Sequence, residues 1–280
     1  MKFTKLSKIY MYTLDVIPTG MTSLEDVMYG FEPGELYVIT GRPGMGKTSL
    51  MLQMALNIAQ NTDYLNQVYI YSLEQSAEQL AENLSASVYH DAIISLLHPG
   101  GGPASANAVK EGERIISRLP IYICDDPSYQ VNDICEFCER VKDGILFIDY
   151  LQLLNLSPFE NSKEDTNSRT KEIELIIRML SNAARLRNIP IVLLSQIGRW
   201  VDERTDKRPR VSDLRWVNNQ SQIERIITLY RPHYYYPECD SNTDENIVEI
   251  SVFNSNEVKI GTVEYLWDPI RRRFKEKNDI

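Results

Sequence analysis

The sequence predicts an α/β fold in which a mainly parallel sheet is covered by helices on both faces. Short apolar segments rich in β-branched residues alternate with segments of helical periodicity as far as residue 196. The apolar segments carry few polar residues, which is typical of strands buried on both faces. Together these two patterns indicate successive βαβ units.

The first half of the chain supplies two of these units. The strand ELYVIT is bounded by Pro33-Gly34 and by Gly41, and the helix after it repeats apolar residues at helical spacing: Leu50, Met51, Met54, Ala55 and Ile58. A second strand, QVYIYSLE, precedes the helix SAEQLAENLSASVY. Ser76 is the expected N-cap of that helix, with Glu78 two positions on.

The pattern continues and then changes. HPGGGPASA reads as a loop, followed by a strand (PIYICDD), a helix (VNDICEFCERV), a strand (GILFIDYLQLL), a helix over 166–188 and a strand (IPIVLLSQ). In the last third, RIITLYRP, NIVEISVF and GTVEYLWD are strands joined by turns, which predicts antiparallel strands added to one sheet edge. No domain boundary is evident, so we expect an N-terminal arm (1–14) and one domain (15–280).

Composition limits the class of function only weakly. The formal net charge of −9 argues against a protein coated in nucleic acid but leaves room for a local basic channel. No apolar run approaches the roughly 20 residues of a membrane span, and no signal peptide is apparent. We therefore expect no membrane partner and a cytoplasmic location.

The cysteines do not indicate a disulfide framework. There are four, Cys124, Cys135, Cys138 and Cys239, too few for a scaffold of this size. CEFC has a metal-ligand spacing, but it lies in an amphipathic helix and no second pair follows. Packing is favoured over zinc, with a packed face made of Ile134, Cys135, Phe137, Cys138 and Val141.

One motif carries specific chemistry. GRPGMGKT satisfies G-x-x-x-x-G-K-[ST] between a predicted strand and a predicted helix, and this context argues against a glycine-rich turn that binds nothing. Such a loop turns backbone N–H groups toward phosphate oxygens, Lys47 reaches the β- and γ-phosphates, and the Thr48 hydroxyl is a Mg²⁺ ligand. The predicted nucleotide-binding residues are Gly41, Arg42, Pro43, Gly44, Met45, Gly46, Lys47, Thr48 and Ser49.

Three further polar residues end predicted strands. Asp149 follows four apolar residues and is the expected second Mg²⁺-site residue, acting directly or through water. Glu74 is placed to accept a proton from, or to orient, an attacking water, although a solvated strand end would look the same. Gln196 adds a third polar group. Ligands bind at the carboxyl ends of strands in such sheets, so we expect all three near the phosphates.

Five segments together resemble the DnaB-type replicative helicases: IPTGMTSLEDVMYGFEPGELYVITGRPGMGKTSL, YSLEQSAEQL, ILFIDYLQLL, IPIVLLSQIGR and DKRPRVSDLR. The resemblance covers roughly residues 15–275. It implies a RecA-like P-loop NTPase core that uses ATP and Mg²⁺, a hexameric ring on single-stranded DNA, and primase, a loader or another helicase as partners. Residue by residue, it gives Lys47 and Thr48 the phosphate and Mg²⁺ roles, Glu74 that of catalytic glutamate, Asp149 that of Mg²⁺-site aspartate, and Gln196 that of γ-phosphate sensor.

The resemblance also implies a DNA-gripping loop. DLRWVNN falls where the family has a loop in the central channel. On this resemblance, Arg215 would contact the phosphates of the DNA single strand. Independently, Lys207, Arg208, Arg210 and Arg215 cluster in an acidic chain, although such clusters are often solvated surface. Trp216 is expected to stack on a base or to pack against a neighbouring subunit. The predicted DNA-binding residues are Arg208, Arg210, Arg215 and Trp216.

Departures from the family matter for mechanism. Full-length members carry an additional N-terminal helical domain, so we expect either a motor without that domain or an N-terminal arm that packs on the next subunit. Asn254 and Asn256 stand where the family places a lysine and an arginine that reach the neighbour's ATP, and the family's loop glycine near Asn218 is missing. An arginine finger contributes about 10³–10⁵ in rate. Either Lys259 or one of Arg271, Arg272 and Arg273 substitutes, or hydrolysis is slow.

Two classes of function remain open. The first is an ATP-driven DNA helicase or translocase with active sites between the subunits of a ring. The second is an ATP-binding accessory protein that acts as adaptor or loader of a helicase, with weak hydrolysis or none. A RecA-type strand-exchange filament is less favoured, because DKRPRVSDLR and YSLEQSAEQL resemble the helicase branch.

Overall fold

A computed structural model describes residues 16–61, 67–88, 110, 112–126, 128–156, 166–216, 222–236, 245–269 and 271–277 of the 280-residue chain. The predicted N-terminal arm, the glycine-rich loop 98–106, residues 237–244 of the segment PECDSNTDEN, including Cys239, and Asn218 lie outside these residues.

The described residues form one nine-stranded sheet with the order β3-β2-β4-β5-β1-β6-β7-β8-β9. The six strands from β3 to β6 in this order are parallel, and β7, β8 and β9 follow as an antiparallel meander. The strand bounds are β1 Leu36–Gly41, β2 Val68–Ser72, β3 Ile121–Cys124, β4 Ile145–Asp149, β5 Ile191–Gln196, β6 Arg225–Tyr230, β7 Ile247–Asn254, β8 Lys259–Asp268 and β9 Arg273–Glu276.

Helices cover both faces of this sheet. Their bounds are α1 Thr22–Met28, α2 Lys47–Gln60, α3 Ala77–Val88, α4 Val131–Arg140, α5 Thr166–Arg187 and α6 Pro232–Tyr235, with short 3₁₀ turns at Leu151–Leu153, Arg199–Glu203 and Val211–Asp213. One hydrophobic core contains α1 and α2, and a second contains α4 and α5. The α/β prediction and the packed face of α2 are confirmed: Leu50, Met51, Met54, Ala55 and Ile58 are all buried.

The C-terminal part of the sheet departs from the prediction in one respect that bears on the site. β6 is parallel to β1, with Thr40 beside Thr228, and the antiparallel strands begin only at β7. The predicted antiparallel edge is therefore correct for NIVEISVF and GTVEYLWD but wrong for RIITLY. As a result, the carboxyl end of β6 lies at the same sheet edge as the carboxyl end of β1.

Two local predictions need correction. The strand predicted for GILFIDYLQLL ends at Asp149, and Leu151–Leu153 form a 3₁₀ turn instead. At the start of α3, Ser76 Oγ accepts a hydrogen bond from Gln79 N at 3.3 Å, and Gln79 Oε1 accepts one from Ser76 N at 3.1 Å. The reciprocal partner of the Ser76 cap is therefore Gln79 and not Glu78.

The CEFC segment packs as predicted. Cys138 is fully buried in α4 beside Ile134, and burial raises the pKa of its thiol to about 12. Across the described part of the chain, no group of three His, Cys, Asp or Glu side chains is arranged to hold a metal ion. No helix within that part is both long and apolar enough to cross a membrane.

The segment before β1 belongs to the same core. Ile17 pairs with Phe31 in an isolated antiparallel bridge, and both side chains are buried together with Leu24 of α1. Leu24 N also donates a hydrogen bond to the Tyr265 hydroxyl of β8 at 3.0 Å. The N-terminal residues are therefore joined to the strands at the far end of the chain.

Candidate nucleotide-binding site

The predicted phosphate loop lies between the end of β1 and the start of α2. Gly44 and Gly46 have φ values of 79° and 100°, in the left-handed region that favours glycine. A Cβ atom at Gly46 would also lie 3.2 Å from the Phe274 ring, so backbone conformation and packing both select glycine there. The motif has the strand–loop–helix context that phosphate binding requires.

Lys47 is buried at the base of this loop. Its ammonium donates hydrogen bonds to the carbonyl oxygens of Gly41 and Arg42, both at 3.1 Å. Burial lowers the pKa of Lys47 to about 8, and the nearby carboxylates of Asp149 and Glu74 oppose that shift. The loop's own carbonyls thus hold the cation inside the cleft.

Thr48 and Asp149 are joined directly. The Thr48 hydroxyl donates to Asp149 Oδ2 at 2.7 Å, bringing together two residues 101 positions apart in sequence. Asp149 is 2% exposed, and burial raises the pKa of its carboxyl to about 6 although the Thr48 hydrogen bond opposes this. A hydroxyl and a carboxylate oxygen are hard ligands of the kind Mg²⁺ takes, so this pair fits the ion.

Glu74 and Gln196 complete the predicted set. Both line the same cleft as residues 43–49 and Asp149. Gln196 is the last residue of β5 and lies beside Gly41 in the parallel register, whereas Glu74 follows β2, whose Ser72 lies beside Asp149. All the predicted strand-end residues therefore meet at one edge of the sheet.

Arg42 has a different environment from the rest of the loop. Its guanidinium donates to both carboxylate oxygens of Asp202, at 3.2 and 2.8 Å, and to the Ile197 carbonyl at 3.0 Å. The Tyr235 hydroxyl donates to the same carboxylate at 3.1 Å. The Arg42 side chain thus ties the phosphate loop to the segment after β5, and only its backbone is left for phosphate.

A second link supports Gln196 from the turn after β4. The side-chain amide of Gln152 donates to Ser195 Oγ at 2.9 Å and to the Gln196 carbonyl at 3.0 Å, and its oxygen accepts from Gln196 N at 3.1 Å. Gln152 thereby fixes the end of β5. Gln152 was not among the site residues predicted from the sequence.

The basic segment after β5 is only partly free to bind DNA. Arg208 makes two hydrogen bonds of 2.7 Å to Glu249, which raise the pKa of its guanidinium, and it also contacts Asp206. Arg210 is exposed, and Arg215 is exposed with its guanidinium 3.8 Å from the centre of the Trp200 ring. The charge of Arg208 is therefore balanced within the chain.

Trp216 is a core residue. Its side chain is 7% exposed and packs in the hydrophobic cluster that contains Ile223 and Leu214. The prediction that Trp216 stacks on a base is therefore wrong, because the ring packs within its own chain and has little surface to offer. Of DLRWVNN, Val217, Asn218 and Asn219 lie outside the described residues.

Asn254 ends β7 and Asn256 lies in the β7–β8 turn; both were predicted to stand at the family's cation positions. Asn254 Oδ1 accepts hydrogen bonds from Asn256 N at 2.9 Å and Val258 N at 3.0 Å, so its side chain shapes the turn. Among the suggested substitutes, Arg271 is ion-paired with Asp268, and Lys259 is exposed on β8. Arg272 donates a hydrogen bond to Asn83 Oδ1.

Sequence reasoning missed three residues that line the cleft: Gln75, Arg231 and Trp267. Arg231 carried a usable signal, because it is the first polar residue after the apolar strand RIITLY. That signal was lost when RIITLY was assigned to the antiparallel edge. Trp267 lies within β8 and is brought to the cleft by packing alone, so its sequence context gave no indication of its position.

Comparison with known proteins agrees with this geometry. The family described as DnaB-like helicase C terminal domain matches residues 16–276. The chain belongs to this family. The predicted resemblance is thereby confirmed, and so is the RecA-like fold with antiparallel strands at its C-terminal edge.

Individual relatives show how much of a longer protein is represented. The chain is 34% identical over 253 residues to "Replicative DNA helicase DnaB" of Geobacillus stearothermophilus, covering 89% of this chain and 54% of that protein. It is 34% identical over 252 residues to "Replicative DNA helicase DnaC" of Bacillus subtilis, covering 88% and 53%. The chain thus spans about half the length of these curated relatives.

Solved structures give the same fold. "The Structure Of A DnaB-Like Replicative Helicase And Its Interactions With Primase" matches with a TM-score of 0.81 at 27% identity, over 99% of this chain and 67% of that one. At 17% identity, "Crystal structure of the RadB recombinase" matches with a TM-score of 0.55 over 93% of this chain and 99% of that one. This second structure shares the fold alone.

Proposed function

We propose that this chain is the ATPase motor of a DnaB-type replicative DNA helicase, hydrolysing ATP to move along single-stranded DNA. The observation that supports it most strongly is the Thr48–Asp149 hydrogen bond of 2.7 Å in a cleft that also holds Lys47 and Glu74. These four residues are a phosphate-binding cation, two Mg²⁺ ligands and a base for water, as phosphoryl transfer requires.

Each residue has a part in the proposed reaction. Backbone N–H groups of the phosphate loop and the Lys47 ammonium hold the triphosphate, while Thr48 and Asp149 hold Mg²⁺, which neutralises charge on the phosphates when bound. The Glu74 carboxylate orients the attacking water and accepts its proton. Gln196 contacts the terminal phosphate. Through the segment after β5, this contact couples the presence of the terminal phosphate to the DNA-binding residues.

The DNA contact proposed here rests on Arg210 and Arg215. Both are exposed, they follow β5 in the chain, and this segment is tied to the phosphate loop by Arg42 and Asp202. In a ring of such chains, several of these arginines would lie around one strand of DNA. The homologous helicases make a hexamer the expected assembly, with primase or a loader as partners of the complete protein and the cytoplasm as its location.

Steady-state ATP hydrolysis with and without single-stranded DNA, together with native mass, tests this proposal. A hexamer whose turnover rises with DNA supports the motor. A monomer or dimer with negligible turnover in both conditions contradicts it and favours the accessory adaptor or loader. The asparagines at positions 254 and 256 are the observation that keeps this second function in view.

A further inference from the structure

One arginine of the cleft has no role in the site described so far. Arg231 lines the cleft together with the phosphate loop, Glu74 and Asp149. It immediately follows β6, which is parallel to β1 and adjacent to it in the sheet. Arg231 therefore reaches the cleft from the side opposite to Gln196, which ends β5 on the other side of β1.

The register shows how near this strand end lies to the phosphate loop. Gly41, the first residue of the motif, packs so closely on β6 that a Cβ atom there would lie 3.0 Å from the Leu229 carbonyl oxygen. Arg231 is two residues beyond Leu229 in the chain. The phosphate loop is thus flanked by an amide on one side and by a guanidinium on the other.

The guanidinium of Arg231 lacks a counter-ion among the described residues. Its Nε is shielded from solvent and has no hydrogen-bond partner there. Three of the four other described arginines with a buried, unpartnered Nε use their remaining nitrogens in ion pairs, and Arg273 is the exception: Arg204 pairs with Asp213, Arg225 with Glu224 and Arg271 with Asp268. Partly burying a guanidinium that has no counter-ion costs free energy, unless a bound ligand supplies the anionic partner.

The balance of charge in the cleft points to an anionic ligand group. Two cations, Lys47 and Arg231, and two carboxylates, Glu74 and Asp149, line it. With Arg231 removed, one cation would face two carboxylates and a triphosphate. Guanidinium binds phosphate oxygens through two parallel hydrogen bonds, which a lysine or an amide cannot reproduce.

We infer that Arg231 binds the phosphates of the nucleotide held by its own chain. It supplies from within the subunit a positive charge that Asn254 and Asn256 do not supply from a neighbour. This inference rests on the proposed ATPase function, because it assigns a residue to the same nucleotide site.

Calorimetric titration of the full chain with Mg²⁺-ATPγS tests the inference. Arg231→Gln should weaken binding of ATPγS by about tenfold to a hundredfold, the value of a charged hydrogen bond. Arg231→Lys should lose less, since it keeps the charge. Arg225→Gln is the matched control: it removes an arginine from the opposite end of the same strand and should leave the affinity unchanged.

The outcomes separate the inference from the proposed function. If the unaltered chain binds ATPγS and Arg231→Gln binds it equally well, the inference is overturned and the ATPase proposal stands. If the unaltered chain binds no nucleotide, both fall. Melting temperatures measured without nucleotide should be no lower for Arg231→Gln and Arg231→Lys than for the unaltered chain, which shows that a loss of affinity does not come from unfolding.

Discussion

At the scale of single residues, the site depends on polar side chains that end buried strands. Asp149 and Gln196 were predictable because four or more apolar residues lie in the strand before each of them. Arg231 was not, since its role depends on whether β6 runs parallel or antiparallel to β1. That direction is set by packing far along the chain, and local sequence does not encode it.

Glu74 gives the first prediction. Glu74→Gln should reduce ATP hydrolysis by about 10²–10⁴-fold, because an amide cannot accept the proton of the attacking water. Nucleotide affinity should remain, since Lys47, Thr48 and Asp149 are untouched. Glu78→Gln is the control, being an exposed glutamate on the neighbouring helix α3. Unchanged turnover in Glu74→Gln would remove this residue from the chemistry.

Arg215 and Arg208 form a contrasting pair for DNA binding. Arg215→Ala should weaken binding of single-stranded DNA and lower the slope of log K against log salt by about 0.7, the value of one phosphate contact. Arg208→Ala should leave that slope almost unchanged, because Glu249 already neutralises Arg208. Equal salt slopes for Arg215→Ala and the unaltered chain would place Arg215 away from the DNA.

Among the helices and strands, sequence periodicity predicted β1 to β5 as parallel strands with helices between them, and gave β6 the wrong direction. Ser76 was correctly taken as a cap, and the buried face of α2 was identified residue by residue. The four-residue strand β9 and the seven-residue helix α1 were missed. Neither is long enough for a periodic pattern, and both are held by long-range contacts such as that between Ser23 and Glu276.

The contact between elements that matters most for coupling is the Arg42–Asp202 ion pair. It joins the phosphate loop to the 3₁₀ turn Arg199–Glu203, on the path from Gln196 to Arg215. If this ion pair carries about 1.4 kcal/mol of coupling, Asp202→Asn should reduce the stimulation of ATP hydrolysis by DNA by about tenfold. ATP affinity should change less than about tenfold, because Asp202 does not line the cleft. DNA affinity should also fall by less than the DNA stimulation of ATP hydrolysis falls.

A double-mutant cycle distinguishes coupling from a general loss of stability. Arg42→Gln and Asp202→Asn should each lower DNA stimulation, and the double variant should be no worse than either single one. Glu139→Gln, which removes the distant and exposed Arg187–Glu139 pair, should have no effect. Additive losses in the cycle would show that Arg42 and Asp202 act separately.

Across the whole molecule, the described residues form one sheet, and the residues predicted to bind nucleotide lie along one edge of it. Family membership accounts for the overall architecture, and the register of the strands accounts for the convergence of Gly41, Asp149 and Gln196. Asn254 shapes the β7–β8 turn through its own hydrogen bonds, at a position where the sequence resemblance predicts a cation that reaches a neighbouring subunit.

The proposed function requires that a magnesium-bound triphosphate occupies the cleft formed by residues 41–48, Glu74 and Asp149. Titration of the unaltered chain and of Lys47→Met with ATPγS, each with Mg²⁺ and with a chelator, tests it directly. We expect saturable binding that requires Mg²⁺ in the unaltered chain and at least about a tenfold loss of affinity in Lys47→Met. Absence of any adenine-nucleotide affinity in the unaltered chain with Mg²⁺ present would contradict it.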